Sequence, residues 1–499
     1  MIPASWTGRR RVARLLLVVA ALSLAAAACA PDEGGDGGGG AGGTVKVGFI
    51  SPVTGFVAAL GTDMRRGWEM YWQQNGDKVG DVTVQTVFED DTGDPDVALT
   101  KARRLVEQEQ VQLVAGPILA NTAYAVAGYV AGRGLPTLQM TGADDLTQRK
   151  FDPHVLRVGY TSSQSNFPAG KWAHDQGHRT AVTICPDYAF GWESCGGFVS
   201  AFVGAGGTIK KQVWHPLGTQ DFSTYVGQAR QANPDVVFIG SAGGPDAILF
   251  YKAWTGFGLK DKIPLIGNCC FADQVFLREV GDEALGLKSF TYWSEGRDSA
   301  VVRRFVQAYE QQHKEIPSLY AAGAYMMAQV VAEALKKTGG KVEGADFINA
   351  ARQVSLSDSL YGALTFNDTN NVVGPVYQTR VEKRDDGTLW SVVENTLPAG
   401  EPVRHRGEGR VPEASRFQPR LHGTVSDVAA GDADRAGPEA RGCGPALRRA
   451  GGRRSRLALA GTTPTAGDHR AERGGQDHAV PPHRRGRGAD RGSGPPLRA

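Results

Sequence analysis

What this chain of 499 residues has little of narrows its function first. It lacks a marked charge of either sign: 55 basic and 52 acidic residues leave a formal +3. Even that is unevenly placed, because from position 401 onward there are 19 Arg, no Lys and 11 acidic residues, whereas residues 44–400 hold 32 basic and 38 acidic side chains. The basic average therefore belongs to the end of the chain, and the folded part gives no reason to expect a nucleic-acid surface. Neither G-x-S-x-G nor H-E-x-x-H occurs in the folded region, which removes the plainest signatures of a serine nucleophile and of a zinc protease. Cysteine is scarce, with six residues in all. What the chain does have is 41% apolar residues, enough to build cores and to exclude disorder throughout, and a length that suits two or three domains of about 150 residues.

The first residues read as a processing segment. Arg9, Arg10, Arg11 and Arg14 precede the apolar stretch 15–24, followed by four alanines and Cys29, the layout of an export signal. The apolar run is too short for a membrane span. Ala26-Ala27-Ala28-Cys29 resembles a bacterial lipobox, with Ala26 where that pattern usually has Leu, so Cys29 is the expected lipidation site. Residues 30–43, rich in Gly with Asp32, Glu33 and Asp36, suit a flexible tether. An extracytoplasmic protein anchored as a lipoprotein to the outer face of the cell membrane is expected. Export permits a disulfide. Cys185 and Cys195 could close a short loop, while the adjacent Cys269 and Cys270 are not expected to bond each other.

From 44 to 290 the chain alternates short β-branched runs with longer helical patterns, the rhythm of an α/β fold with parallel sheets. Strands are expected at 45–50, 82–88, 112–115, 136–139, 181–185, 208–214, 236–240 and 264–267, and helices at 64–74, 95–108, 120–133, 191–203, 222–232 and 245–256. Helices follow at 300–313 and 318–338, then strands again at 363–366, 375–382 and 389–393. A return to strand after two sets of βα units predicts two lobes that the chain crosses more than once, with a cleft between them. Ligands of open α/β sheets sit beyond the carboxyl ends of the strands. The loops there, 51–56, 116–122, 141–143, 186–191, 241–246 and 268–271, mix small residues, hydroxyls and aromatics. Helix starts of that kind present N–H groups to an anion, and aromatics can cover an apolar ligand.

Several motifs in this register resemble the type I periplasmic binding proteins of the branched-chain amino acid ABC transporter group, from Thr44 to about Leu397. They are Val45-Lys46-Val47-Gly48 with Ser51-Pro52 and Thr54-Gly55, Glu89-Asp90-Asp91, Val114-Ala115-Gly116-Pro117, Ala143-Asp144-Asp145-Leu146-Thr147, Asp187-Tyr188-Ala189-Phe190-Gly191 and Phe366-Asn367-Asp368. The resemblance implies two Rossmann-like lobes with crossovers near Val158, Phe290 and Phe366. An N-terminal lobe of 44–158 plus 291–366 and a C-terminal lobe of 159–290 plus 367–399 follow. It also implies a monomer that closes on a small ligand and delivers it to an ABC permease and, through it, an ATPase, with no cofactor.

Carried over by resemblance, the ligand carboxylate is met by Ala120, Asn121, Thr122, Thr141 and Gly142, with Phe56 and Leu60 as apolar wall and Phe190, beside Tyr188, as the lid. Gly243 and Asp246 complete the candidates from the second lobe. Where amino-acid members of the group place a Glu against the ligand ammonium, this sequence has Cys269, and a Ser expected at the carboxylate is Ala120. A buried ammonium without an anion is costly. Either Asp246 or Asp273 substitutes, or the ligand has no α-ammonium; the reading leans to the latter, an amide, a urea or a small carboxylic or aromatic acid.

Other classes are weaker. His174 and His178 have i, i+4 spacing but no third metal ligand, and an exposed helix end is expected there. Glu89-Asp90-Asp91 reads as a solvated strand end rather than a paired acid site. The chain is therefore not expected to be an enzyme. A ligand-sensing receptor of the same fold is the alternative, and the lipobox favours transport.

Residues 400–499, rich in Arg, Gly and Pro, show no apolar stripe and read as a disordered tail; from 401 they contain no Lys, Ile, Asn, Tyr, Trp or Met. Back-translated and read one base forward, Arg470 through His483 is compatible with G-P-N-G-A-G-K-T-T-L-F-x-L-I, a P-loop pattern, and Leu447 through Ala450 with F-G-G-L. The tail is accordingly read as an out-of-frame stretch of a neighbouring ABC ATPase gene. The nucleotide sequence tests this, and stops in the shifted frame would end it.

Overall fold

The computed structural model describes residues 43–397. The expected export segment with Cys29, the expected tether as far as residue 42 and the Arg-rich tail lie outside those residues.

The first sheet grows around Thr44–Ile50 (β1), whose side chains are all buried except Thr44 and Lys46. Such a run is what a parallel strand covered on both faces requires. β1 pairs parallel with Val82–Glu89 (β3) on one side and with Leu113–Ala115 (β4) on the other. Lys78–Val79 (β2), Thr137–Gln139 (β5) and Val155–Arg157 (β6) complete the order β2-β3-β1-β4-β5-β6, with β2 antiparallel. Leaving β2 aside, this is the doubly wound order 2-1-3-4-5, which changes direction between β1 and β4.

The second sheet repeats that order. Thr180–Pro186 (β7), Thr208–His215 (β8), Val236–Ile239 (β9), Leu265–Gly267 (β10) and Lys288–Thr291 (β11) are parallel, arranged β8-β7-β9-β10-β11, and the change of direction falls between β7 and β9. After a small antiparallel pair, Thr365–Phe366 (β12) and Val372–Val373 (β13), the strands Val376–Lys383 (β14) and Leu389–Leu397 (β15) extend this sheet antiparallel beyond β11.

Helices cover both sheets. Ala58–Gln74 (α1), Pro95–Arg103 (α2) and Ala120–Gly132 (α3) alternate with the first set of strands. Ser162–Asp175 (α4), Ala189–Gly204 (α5), Ser223–Ala232 (α6), Pro245–Gly256 (α7) and Gln274–Val280 (α8) belong with the second. Ala300–His313 (α9), Leu319–Thr338 (α10) and Gly344–Arg352 (α11) return to the first lobe, where the Tyr309 hydroxyl of α9 reaches Asp63 of α1 at 3.3 Å. A Cβ on Gly67 of α1 would come within 2.0 Å of the Ala321 carbonyl oxygen of α10, so the two helices cross at a distance that only glycine permits.

The expected α/β architecture of two lobes is present, and several local expectations need correction. α1 begins at Ala58 rather than 64, and the helix expected over 95–108 passes into a π turn at Arg104–Gln108. β6, α4, α8, β11 and α11 were not foreseen. α4 escapes an apolar-periodicity reading because its buried face includes Ser162, Ser163, Gln164, Ser165 and Asn166. Its legible signal is the capping box: the Thr161 side chain accepts from Gln164 N–H while the Gln164 side chain accepts from Thr161 N–H. Thr291, assigned by resemblance to the first lobe, ends a strand of the second sheet. Asn370, assigned to the second lobe, bonds to Val155 and Arg157 of β6.

Candidate functional site

Both direction changes face one cleft, as the rule for open α/β sheets requires. The first lobe contributes Leu60 from α1, Ile118, Leu119 and Ala120 from the loop after β4, Met140 and Gly142 from the loop after β5, and Leu319 and Tyr320 from the start of α10. The second contributes Ser162 and Ser165 of α4, Tyr188 and Phe190 after β7, Ala242 after β9, Cys269 and Cys270 after β10, and Tyr292 after β11, with Tyr160 from the connection between the lobes. The free space they enclose is about 30 Å³.

Polar chemistry at the cleft is concentrated in hydroxyls, thiols and uncapped backbone. α3 starts with Leu119 at its N-cap, a residue with no side-chain acceptor, so the first N–H groups of that helix are left for another partner. Ser162 donates through both its backbone N–H (2.8 Å) and its hydroxyl (2.7 Å) to the Gly142 carbonyl, fastening the two walls together. A Cβ at Gly142 would stand 2.5 Å from Ser162 Oγ and 3.2 Å from the Phe190 ring, so this close approach depends on glycine. Burial pushes the Tyr188, Tyr292 and Tyr320 hydroxyls well up, which keeps them protonated donors. The Tyr320 hydroxyl is buried beside Cys270 without a well-formed hydrogen bond.

Of the residues expected at the site, Leu60, Ala120, Gly142, Tyr188, Phe190 and Cys269 line the cleft together. Others are used for support. Phe56 packs on the first lobe's core. Thr122 turns its hydroxyl back to the Leu119 carbonyl at 3.0 Å. Thr141 accepts at its hydroxyl oxygen from Ala143 N–H and at its carbonyl oxygen from Arg157. Asn121 leaves a buried Oδ1 without a partner but does not line the cleft. Gly243, at φ 87°, makes room for Tyr320, whose hydroxyl would lie 2.4 Å from a Cβ there.

Neither carboxylate considered as an anion for a ligand ammonium faces the cleft. Asp246 accepts from Ser241 Oγ at 3.0 Å and Ala242 N–H at 3.1 Å, folding the loop after β9. Burial pushes it up and the nearby His215 opposes this. Asp273 caps α8 and accepts from Leu319 N–H at 2.6 Å; burial raises it to about 6. The acidic run after β3 is likewise structural rather than solvated. Glu89 and Asp91 are only 6% and 0% exposed; Glu89 pairs with Lys101 at 2.8 Å and with Arg104. His174 packs on Phe202 at the last turn of α4, and His178 lies beyond it, so the two do not share a helix. Among the described residues no group of three metal-ligating side chains forms. Cys185 and Cys195 are joined by a disulfide between β7 and α5.

Two features behind the cleft have no obvious sequence signal. Arg157, fully buried at the end of β6, donates to the Thr141 and Ala143 carbonyls and to Asn371 Oδ1 at 3.0 Å, so one guanidinium holds the loop after β5 and the returning chain. Arg278 of α8 reaches across to the first lobe, donating to Asp63 Oδ2 at 2.8 Å and Glu315 Oε2 at 2.7 Å. Another interlobe contact joins the Tyr124 hydroxyl of α3 to Glu193 of α5 at 3.4 Å; burial, reinforced by the Asp144 charge, pushes Glu193 well up.

Comparison with known proteins places this geometry. Leu/Ile/Val-binding protein homolog 6 of Brucella melitensis is 29% identical over 354 residues, which cover 70% of this chain and 90% of that protein. A solute-binding protein of an ABC transporter from Rhodopseudomonas palustris BisB5, solved with 3,4-dihydroxybenzoic acid, superposes with a TM-score of 0.69 at 30% identity, covering 72% of this chain and 99% of its own. An ABC transporter substrate-binding protein from Sphaerobacter thermophilus gives 0.67 at 34% identity, over 71% of this chain and 98% of its own. The family model for periplasmic binding proteins matches residues 44–388. With two direction changes facing one hinged cleft and no catalytic or metal cluster among the described residues, the chain belongs to the periplasmic binding protein family, as a solute-binding protein of the ABC transporter type.

Proposed function

We propose that the ligand is a small aromatic carboxylic acid, captured between the lobes outside the cytoplasm and passed to an ABC permease coupled to its ATPase. The observation that carries this is the make-up of the cleft: five Tyr or Phe rings line it, and no Asp, Glu, Lys, Arg or His does. An α-amino acid would bring an ammonium into a wall with no anion to meet it, a cost of several kcal/mol at roughly the scale of an unpaired buried charge. An aromatic acid brings one anion, for which the free N–H groups at the uncapped start of α3 are fitting donors. Its ring is suited to Phe190, Tyr188 and Tyr292. The Rhodopseudomonas relative holds such a ligand, which supports the same reading.

Titration calorimetry of the purified protein against 3,4-dihydroxybenzoate, 4-hydroxybenzoate and leucine is the test. Saturable heat with the aromatic acids and none with leucine is expected, and the reverse pattern overturns the proposal. Attachment through Cys29 is part of this reading. Radiolabelled fatty acid should label the wild-type protein in bacterial cells and not a Cys29→Ser variant, and equal labelling of both would remove the anchor.

A further inference from the structure

The adjacent thiols of the cleft do nothing in the reading above. Cys269 and Cys270 occupy the middle of a turn after β10, closed by the Phe271 N–H bond to the Asn268 carbonyl at 3.2 Å. Their sulfurs are 3.3 Å apart, both residues line the cleft, and neither is bonded to another cysteine. Cys270 faces Gly243 and the Tyr320 hydroxyl, so the pair is the point where the loops after β9 and β10 meet the start of α10 from the other lobe. The same lobe already carries the Cys185–Cys195 disulfide, the mark of a chain that meets an oxidising compartment.

We propose that Cys269 and Cys270 form an oxidisable dithiol in the ligand cleft, converted to a disulfide between neighbouring residues by exchange with a small-molecule or protein disulfide. The two are unbonded in this structure, as expected, and the turn holds their sulfurs side by side, within reach of closure. The exchange balances without any further reactant. The Cys269 thiolate attacks the oxidant, forming a mixed disulfide and releasing one thiol. The Cys270 thiolate then attacks Cys269 Sγ, closing the internal bond and releasing the second thiol. One S–S bond forms and one breaks, two electrons pass to the oxidant, and the two cysteine protons leave with the released thiols. Closure removes two S–H donors from the wall and draws the sulfurs to about 2 Å.

The position also sets when the reaction can occur. Hydrogen bonding to Cys270 and burial between the lobes push the Cys269 thiol well up, which starves the closed cleft of thiolate. Parting the lobes uncovers the pair. Ligand, by holding the lobes together, then protects it. This protection rests on the proposed capture of an aromatic acid, whereas formation of the bond does not.

The test exposes the full chain to oxidised glutathione, with and without 4-hydroxybenzoate, quenches in acid, alkylates free thiols and maps the cysteines by mass spectrometry. The expected result is an unalkylated peptide carrying an internal Cys269–Cys270 bond, formed at least about tenfold more slowly with ligand present. Cys270→Ser should halt at a glutathione mixed disulfide on Cys269. Full alkylation of both thiols after oxidant treatment of the wild-type protein, or their bonding to Cys185 or Cys195, overturns the proposal. If the internal bond forms at the same rate with and without 4-hydroxybenzoate and calorimetry shows no heat, the dithiol stands and the aromatic-acid reading fails.

Discussion

The two walls of the cleft are built from the same topology and unlike chemistry. Each is a 2-1-3-4-5 sheet with its direction change at the cleft. The first lobe meets the ligand space mainly with aliphatic side chains and an uncapped helix start: Leu60, Ile118, Leu119, Ala120 and Met140. The second presents rings, hydroxyls and thiols: Tyr188, Phe190, Tyr292, Ser162, Ser165 and the cysteine pair. The difference teaches that one wall can anchor a charge through backbone while the other reads shape and polarity through side chains. Loops at equivalent strand ends are free to diverge because the sheets, not the loops, carry the fold.

If discrimination resides in the second wall, removing its lid should hurt most. Phe190→Ala is expected to weaken binding of 3,4-dihydroxybenzoate about 100-fold, since a ring of this size contributes roughly 2–3 kcal/mol. Leu60→Ala on the first wall should cost only about tenfold, or ~1.4 kcal/mol. Calorimetry giving the opposite ranking would break the comparison. Gly142→Ala comes next, at about tenfold or more, because the added methyl lies 2.5 Å from Ser162 Oγ and forces the walls apart; Ser162→Ala in that background should recover part of the loss.

Smaller effects probe how the walls are held. Arg278→Ala removes both ion pairs to Asp63 and Glu315 across the lobes. Arg278 and Glu315 are partly exposed, so about a fivefold loss is expected, read chiefly as faster ligand release in stopped-flow traces. The smallest effect is on stability against pH, and it should fall more heavily on the second lobe. Burial raises Glu295 to about 7 and Asp273 to about 6 there, against Asp91, also about 6, in the first lobe. A carboxyl whose folded pKa is raised favours folding while protonated, so this contribution is complete below about pH 4 and is lost as pH climbs through 6 to 7. The melting temperature should therefore drop by a few degrees between about pH 5 and pH 8. Glu295→Gln should flatten that slope, and an unchanged slope would remove Glu295 from the account.

Much of this was legible in the residues. The β-branched runs separated by helical patterns gave the two sheets, and the loops at the strand ends held Leu60, Ala120, Gly142, Tyr188, Phe190 and Cys269, which meet in the cleft. What was not legible has a common cause. Tyr160, Ser162, Ser165, Tyr292 and Tyr320 lie on elements whose burial is decided by packing between lobes rather than by their own periodicity. α4 shows this plainly: a helix with a buried polar face has no apolar stripe, and only its Thr161–Gln164 capping box announced it. Asp246 illustrates the converse error. A carboxylate in a strand-end loop suggested a ligand contact, yet the turn folds it back onto Ser241 and Ala242.

The sequence alone determined the alternation of strand and helix, hence the α/β class, and the residue types available at the strand ends, because local periodicity and loop composition are properties of neighbours in the chain. Only the tertiary structure decided which of those residues share a cleft, that Arg157 and Arg278 tie its walls, and that two adjacent thiols face the ligand space. Those outcomes depend on contacts between residues far apart in the chain, such as Arg278 with Asp63, 215 positions away, whose geometry is set by the packing of whole sheets and helices.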